Sequence, residues 1–155
     1  MSKNGIVLSV IAVLLAATYV YFFTDWFHKK TIQIIPQIRP THASTIPRDP
    51  DQPPVYPVSF ALDGRYELTS VKVVSASDMA TNKYPVPLWH LTSESNSVPV
   101  RSIVYGAAIK GMKPAVSRAR PEPLMPEVDY VLEVVAGDLK STTNFHTARA
   151  NLRGQ

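Results

Sequence analysis

The chain has 155 residues, 18% of them charged, with 14 Pro, no Cys and a formal net charge of +4. That length suits one domain with appendages. The absence of Cys excludes disulfides, thiolate chemistry and Cys-ligated zinc or iron–sulfur centres, and the small, scattered basic excess fits a solvated surface better than a nucleic-acid-binding one.

Residues 1–4 are a short tail. From Gly5 to Thr24 the chain reads GIVLSVIAVLLAATYVYFFT with no charged residue. As a helix at about 1.5 Å per residue this run spans about 30 Å, the thickness of a bilayer's hydrocarbon core. Tyr19, Tyr21, Phe22, Phe23, Trp26 and Phe27 crowd its C-terminal end, and aromatic rings with a polar atom favour the headgroup zone. Residues 5–27 are therefore expected to cross a lipid bilayer. The competing reading is a cleaved signal peptide, which would release a secreted protein. The run is longer than a signal core, and large aromatics stand where small residues should precede cleavage. Pilin-like leaders carry a Glu five positions after the cleavage Gly, and no acid occurs in this run. Lys3 precedes the span and Lys29, Lys30 and Arg39 follow it, which by Lys/Arg count alone puts the C-terminal side in the cytoplasm. The four-residue tail argues for a signal anchor in the cell membrane with its C-terminal domain extracytoplasmic, and that is the expectation.

Residues 28–55 read as a Pro-rich linker, since seven of the 14 prolines fall between Pro36 and Pro57. Proline fixes φ and removes a donor, so such a segment is a semi-rigid extended spacer that holds a folded domain away from the bilayer. Its beginning, TIQIIPQIRP, carries Ile32, Ile34, Ile35 and Ile38. Four Ile so close together predict either a short strand over 31–39 packed on the folded domain or a docking strip for a partner.

The folded domain is expected over 56–148, with a polar tail at 149–155. Two β-rich runs flank Asp63-Gly64, a pair suited to a type I′ turn, and predict a hairpin from Val58 to Val74. A short apolar run around Trp89 and another from Val98 to Tyr105 follow. Tyr130, Leu132, Val134 and Ala136 share one face of a period-two pattern. After Gly137-Asp138 comes a last strand with Phe145 inward. Short strands, regular turn signals and no long amphipathic helix predict an all-β antiparallel sandwich.

Leu124-x-Pro126-x-x-x-Tyr130, followed by that alternation, resembles the tyrosine corner of fibronectin type III domains. The resemblance covers roughly residues 56–148. It implies an immunoglobulin-like sandwich in which Tyr130 opens strand F and bonds backbone a few residues upstream, with Leu124 and Pro126 in the E–F connection. It also makes Asp63-Gly64 an A–B hairpin. Trp89, placed on strand C, departs from the family's usual Trp on strand B.

Catalytic chemistry is not expected. His28, His42, His90 and His146 lie at no metal-ligand spacing. SESNS (93–97) lacks an adjacent base and reads as a polar C–C′ turn. No Gly-rich phosphate loop occurs, and Glu122, Glu127 and Asp129 fall in a Pro-punctuated connection. No cofactor or metal is implied. KGMKPAVSRAR carries Lys110, Lys113, Arg118 and Arg120 without an acid, a patch suited to an acidic partner or anionic lipid. Stacking aromatics are missing from it, which makes nucleic acid an unlikely ligand. The expectation is a membrane-anchored, non-catalytic binding or assembly module whose protein partner belongs to an envelope complex. Contacts are placed at the Ile strip, the Val98–Tyr105 edge or the basic loop. The alternatives are a structural spacer and, further behind, a hydrolytic enzyme.

Overall fold

The computed structural model describes residues 3–23, 31–38 and 55–150. It divides into two compact units, Met1–Lys30 and Thr31–Gln155. The first holds one helix, α1 (Lys3–Phe23), long and apolar enough by length and composition to cross a membrane. Every described side chain from Gly5 to Phe22 is exposed. Ser9 and Thr18 donate their hydroxyls to the carbonyls of Gly5 and Leu14 one turn back, so neither needs water as a partner. Trp26, Phe27 and the three basic residues used for orientation, Lys29, Lys30 and Arg39, lie outside the described residues.

The second unit contains β1 (Ile34–Ile38), β2 (Val58–Tyr66), β3 (Ser70–Ser75), α2 (Ala76–Thr81), β4 (Trp89–Thr92), β5 (Val100–Val104), β6 (Lys113–Pro114), β7 (Asp129–Ala136) and β8 (Leu139–His146). These strands form two antiparallel sheets, ordered β1-β2-β5 and β6-β4-β3-β7-β8. Period-two alternation builds the larger sheet. Val71 of β3 pairs with Leu91 and Val134, and Val73 pairs with Trp89 and Leu132. All six are buried and belong to one core cluster, to which the smaller sheet adds Val58, Phe60, Leu62 and Ile103. Phe60 meets Phe145 edge-on at 5.0 Å, and Tyr130 stacks on Phe145 at 5.6 Å. Such ring pairs add about 0.5–1.5 kcal/mol beyond area burial. Val74 and Val131, paired across β3 and β7, are buried outside that cluster, and the short α2 packs against both strands.

Four expectations need correction. Asp63-Gly64 is not a hairpin turn. β2 runs straight through it, Asp63 N–H donates to the Gln33 carbonyl at 3.1 Å, and β3 belongs to the other sheet. The pair sits where β2 slips register against β5, between Ala61 and Tyr66. Glycine tolerates such an irregularity without a positive φ. Secondly, the folded unit starts at Thr31 rather than 56, because β1 pairs along β2 from Ile34↔Leu62 to Ile38↔Val58. Thirdly, the segment expected as a Pro-rich linker over 28–55 holds β1 in its first part, so the domain begins ahead of most of its prolines; residues 39–54 lie outside the described residues. Finally, Trp89 lies on β4, the fourth strand, one place outward from the third. The last hairpin, β7–β8, closes through Gly137-Asp138 with Gly137 at φ +57°, as a two-residue primed turn with glycine first requires.

Candidate functional site

The Ile strip is split by its strand. Ile32 is 1% exposed and its carbonyl accepts a hydrogen bond from Ser141 of β8; Ile34 packs against the core. Ile35 and Ile38 remain exposed. Alternation separates Ile35 from Ile32 and Ile34, since neighbouring side chains point to opposite faces; Ile38 shares their parity and is exposed at the end of the strand. β5 is the opposite edge of the same sheet, with its own Val104 exposed and Val98, just before it, exposed too.

The long connection from β5 to β7 borders a groove. Gly111 holds φ +90°, and a Cβ there would stand 3.1 Å from the Ser97 Cα, so only glycine lets this turn approach the 96–98 backbone. Ser93 Oγ donates to the Gly111 carbonyl at 2.7 Å, and Val98 N–H to the Lys110 carbonyl at 3.1 Å. β6 then pairs with β4 through Leu91↔Pro114 and Thr92↔Lys113, and Ala115 N–H reaches the His90 carbonyl. The far end is strapped by Glu122 N–H to the Leu88 carbonyl at 3.0 Å and by the Tyr105 hydroxyl donating to the Glu122 carbonyl at 2.7 Å. Burial above all raises the Tyr105 pKa far beyond the ordinary phenol value, so this donor stays protonated. Its ring meets Trp89 edge-on at 5.3 Å.

Between these two straps lies a groove of about 420 Å³. Leu88, Trp89, Ala107, Met112, Val116 and Arg120 contribute to its lining. All four basic residues of the connection are exposed, but only Arg120 lines the groove; Lys113 lies on β6. Among the described residues none of the four makes an ion pair.

The corner residues sit at the end of the same connection. Leu124 is buried and Pro126 half-buried. Tyr130 is 2% exposed and its hydroxyl accepts the Met125 N–H at 2.9 Å. Burial raises the Tyr130 pKa, opposed by that backbone donor. Sequence reasoning missed the second clasp on this turn. Thr147, fully buried, donates to the Met125 carbonyl at 2.6 Å and accepts the Val128 N–H at 3.2 Å. Its carbonyl also accepts the N–H of Glu127, which stands at φ +59°. Ser97 was missed likewise. It is buried in what was read as a solvated polar turn, and its Oγ accepts the Leu68 N–H at 2.8 Å. That turn follows β4 rather than the third strand.

Away from the Val74–Val131 pair, the outer face of the larger sheet carries polar side chains. His90, Lys72 and Glu133 lie side by side across β4, β3 and β7, and Lys140 reaches Glu133 at 3.2 Å. His90 Nε2 is 3.3 Å from Ser70 Oγ. Partial burial, then the Lys72 charge, push its pKa down, with Glu133 pulling the other way. His146 pairs with Asp129 at 2.9 Å; His28 and His42 lie outside the described residues. Among the described residues no group of three or more His, Asp or Glu could hold a metal ion. No family model matches the chain, and no curated protein or solved structure is detectably similar to it.

Proposed function

We propose that this chain is a membrane-anchored, non-catalytic protein-binding or assembly module of the cell envelope, built on a fibronectin type III-like sandwich. Lettering β1–β5 as A, B, C, C′ and E and the last two strands as F and G, the sheets read A-B-E and, leaving aside β6, C′-C-F-G. That split, with A, B and E facing C, F and G, supports an immunoglobulin-like topology. The Tyr130 hydroxyl bonded to backbone five residues upstream supports a tyrosine corner. α1 serves as a signal anchor in the cell membrane, with the sandwich extracytoplasmic. The observation that carries the binding reading is the cation-bearing connection, without an ion pair among the described residues, arched beside a groove at a sheet edge.

Crosslinking and mass spectrometry in the native membrane test it. A binding module gives reproducible crosslinks to a defined protein, concentrated at Lys110 and Lys113. No partner crosslinks, together with full function after exchange of the domain for an unrelated sandwich, would make the chain a spacer instead.

A further inference from the structure

Resting on the binding-module reading, we infer that the groove between β4 and the 106–122 connection is a docking site for an extended acidic segment of a partner protein. An apolar side chain of that segment seats in the groove, and its carboxylates meet Arg118, Arg120 and Lys113.

Three observations choose this occupant. The volume, about 420 Å³, falls within the range of formed ligand pockets, and most of its lining side chains are apolar. That asks for an apolar group, not for an ion alone. Next, the segment from Gly106 to Pro121 holds four basic residues and no acid, all four exposed and unpaired among the described residues. Their complement is a carboxylate-rich chain. Finally, β6 pairs with β4 over two residues only. Beyond Ala115, the one backbone bond within 116–121, among the described residues, is the turn from Ala119 N–H to the Val116 carbonyl. The groove is thus flanked by free backbone groups of the kind an extended peptide pairs with.

Other polyanions fit less well. Trp89 and Tyr105 are 4% and 5% exposed and offer no ring to a nucleobase. A planar lipid surface does not reach into a recess.

The test uses the full chain in nanodiscs of zwitterionic lipid and an array of short synthetic peptides in which Leu alternates with Glu, Gln or Lys. Fluorescence anisotropy reads binding. The Leu/Glu peptide binds and the Leu/Gln and Leu/Lys peptides do not. Two variants separate the parts. Neutralising all four basic residues to Gln, and filling the groove with Ala119→Phe, each weaken binding about tenfold or more, while circular dichroism stays unchanged. Because these residues are exposed, both variants fold. Equal binding of a Glu-only peptide, or unaltered binding by the groove-filled variant, reduces the site to ion exchange and overturns the proposal. Binding to anionic vesicles without binding to any peptide assigns the cations to lipid and also overturns it. A partner identified by crosslinking to the unaltered chain that still co-purifies with both variants sinks the groove but leaves the binding-module reading standing; no partner crosslinked to the unaltered chain sinks that reading.

Discussion

The turn at 125–128 is held by two side chains that share one residue. Tyr130 accepts the Met125 N–H, and Thr147 donates to the Met125 carbonyl while accepting from Val128. Tyr130→Phe removes one hydroxyl and keeps the ring stacked on Phe145. It leaves a partly buried N–H without its partner, a loss of about 1–2 kcal/mol. Thr147→Val keeps the shape at a fully buried position and strips partners from both a carbonyl and an N–H, about 2–3 kcal/mol. The double variant costs less than the sum by about 0.5 kcal/mol or more, because a turn released by one change has less left to lose by the other. Denaturant unfolding of the full chain in detergent micelles measures all four corners of the cycle. Trp89 reports the sandwich once Trp26 is replaced by Phe. By heat, each kcal/mol moves the midpoint about 4 °C or more for a domain of this size. Single losses below about 0.3 kcal/mol, or strict additivity within the error expected for independent sites, would refute the shared clasp.

Glycine substitutions separate the two turn assignments. Gly64→Ala meets only the movable Tyr66 ring, at 3.2 Å, and costs less than about 1 kcal/mol. Gly137→Ala stands at φ +57° and costs about 1–2 kcal/mol, as Gly64→Ala also would in a type I′ turn. Gly111→Ala adds a backbone clash to its φ of +90° and costs about 2 kcal/mol or more, with equilibrium unfolding as the measurement for all three. His90 carries a pH signature. Its folded pKa lies below the ordinary 6.5, so the unfolded chain takes the proton first and stability falls as pH drops through that window. His90→Gln flattens this part of the profile between about pH 7.5 and about pH 5, a range that brackets the imidazole; an identical slope in both proteins counts against it. Lys140→Gln, at an exposed ion pair, shifts stability by no more than about 1 kcal/mol.

What could be read from the residues was mostly periodicity. The inward faces of β7 and β8 follow from alternation alone, and so do Trp89 and Leu91. Asp63-Gly64 misled because a dipeptide signal is local, whereas β2 is kept extended by pairing with β1, a partner beyond the proline segment. The four Ile of 31–39 read as either a short strand packed on the domain or a docking strip, and β1 is such a strand; which strand it pairs with depends on a long-range contact that no local pattern carries. Ser97 stands in a polar string between exposed neighbours and Thr147 just past the end of β8, and one buried hydroxyl leaves no pattern. Of the groove, the cations were visible in the chain, but its walls come from straps at Gly111 and Glu122 that only the folded backbone creates. Helix α2 has six residues and none is buried, too few to show a period.

The place of β1 has a mechanical meaning. Any pull transmitted along the chain from α1 enters the sandwich at Thr31 and loads the β1–β2 ladder, the buried Ile32 and its bond from Ser141. Pro36 lies within that ladder, opposite Phe60, and the six prolines from Pro40 to Pro57 follow β1 in the chain. A protease cut within 39–54 would therefore leave β1, with α1 behind it in the chain, joined to the rest of the folded unit by noncovalent contacts alone, a link with a finite lifetime under load.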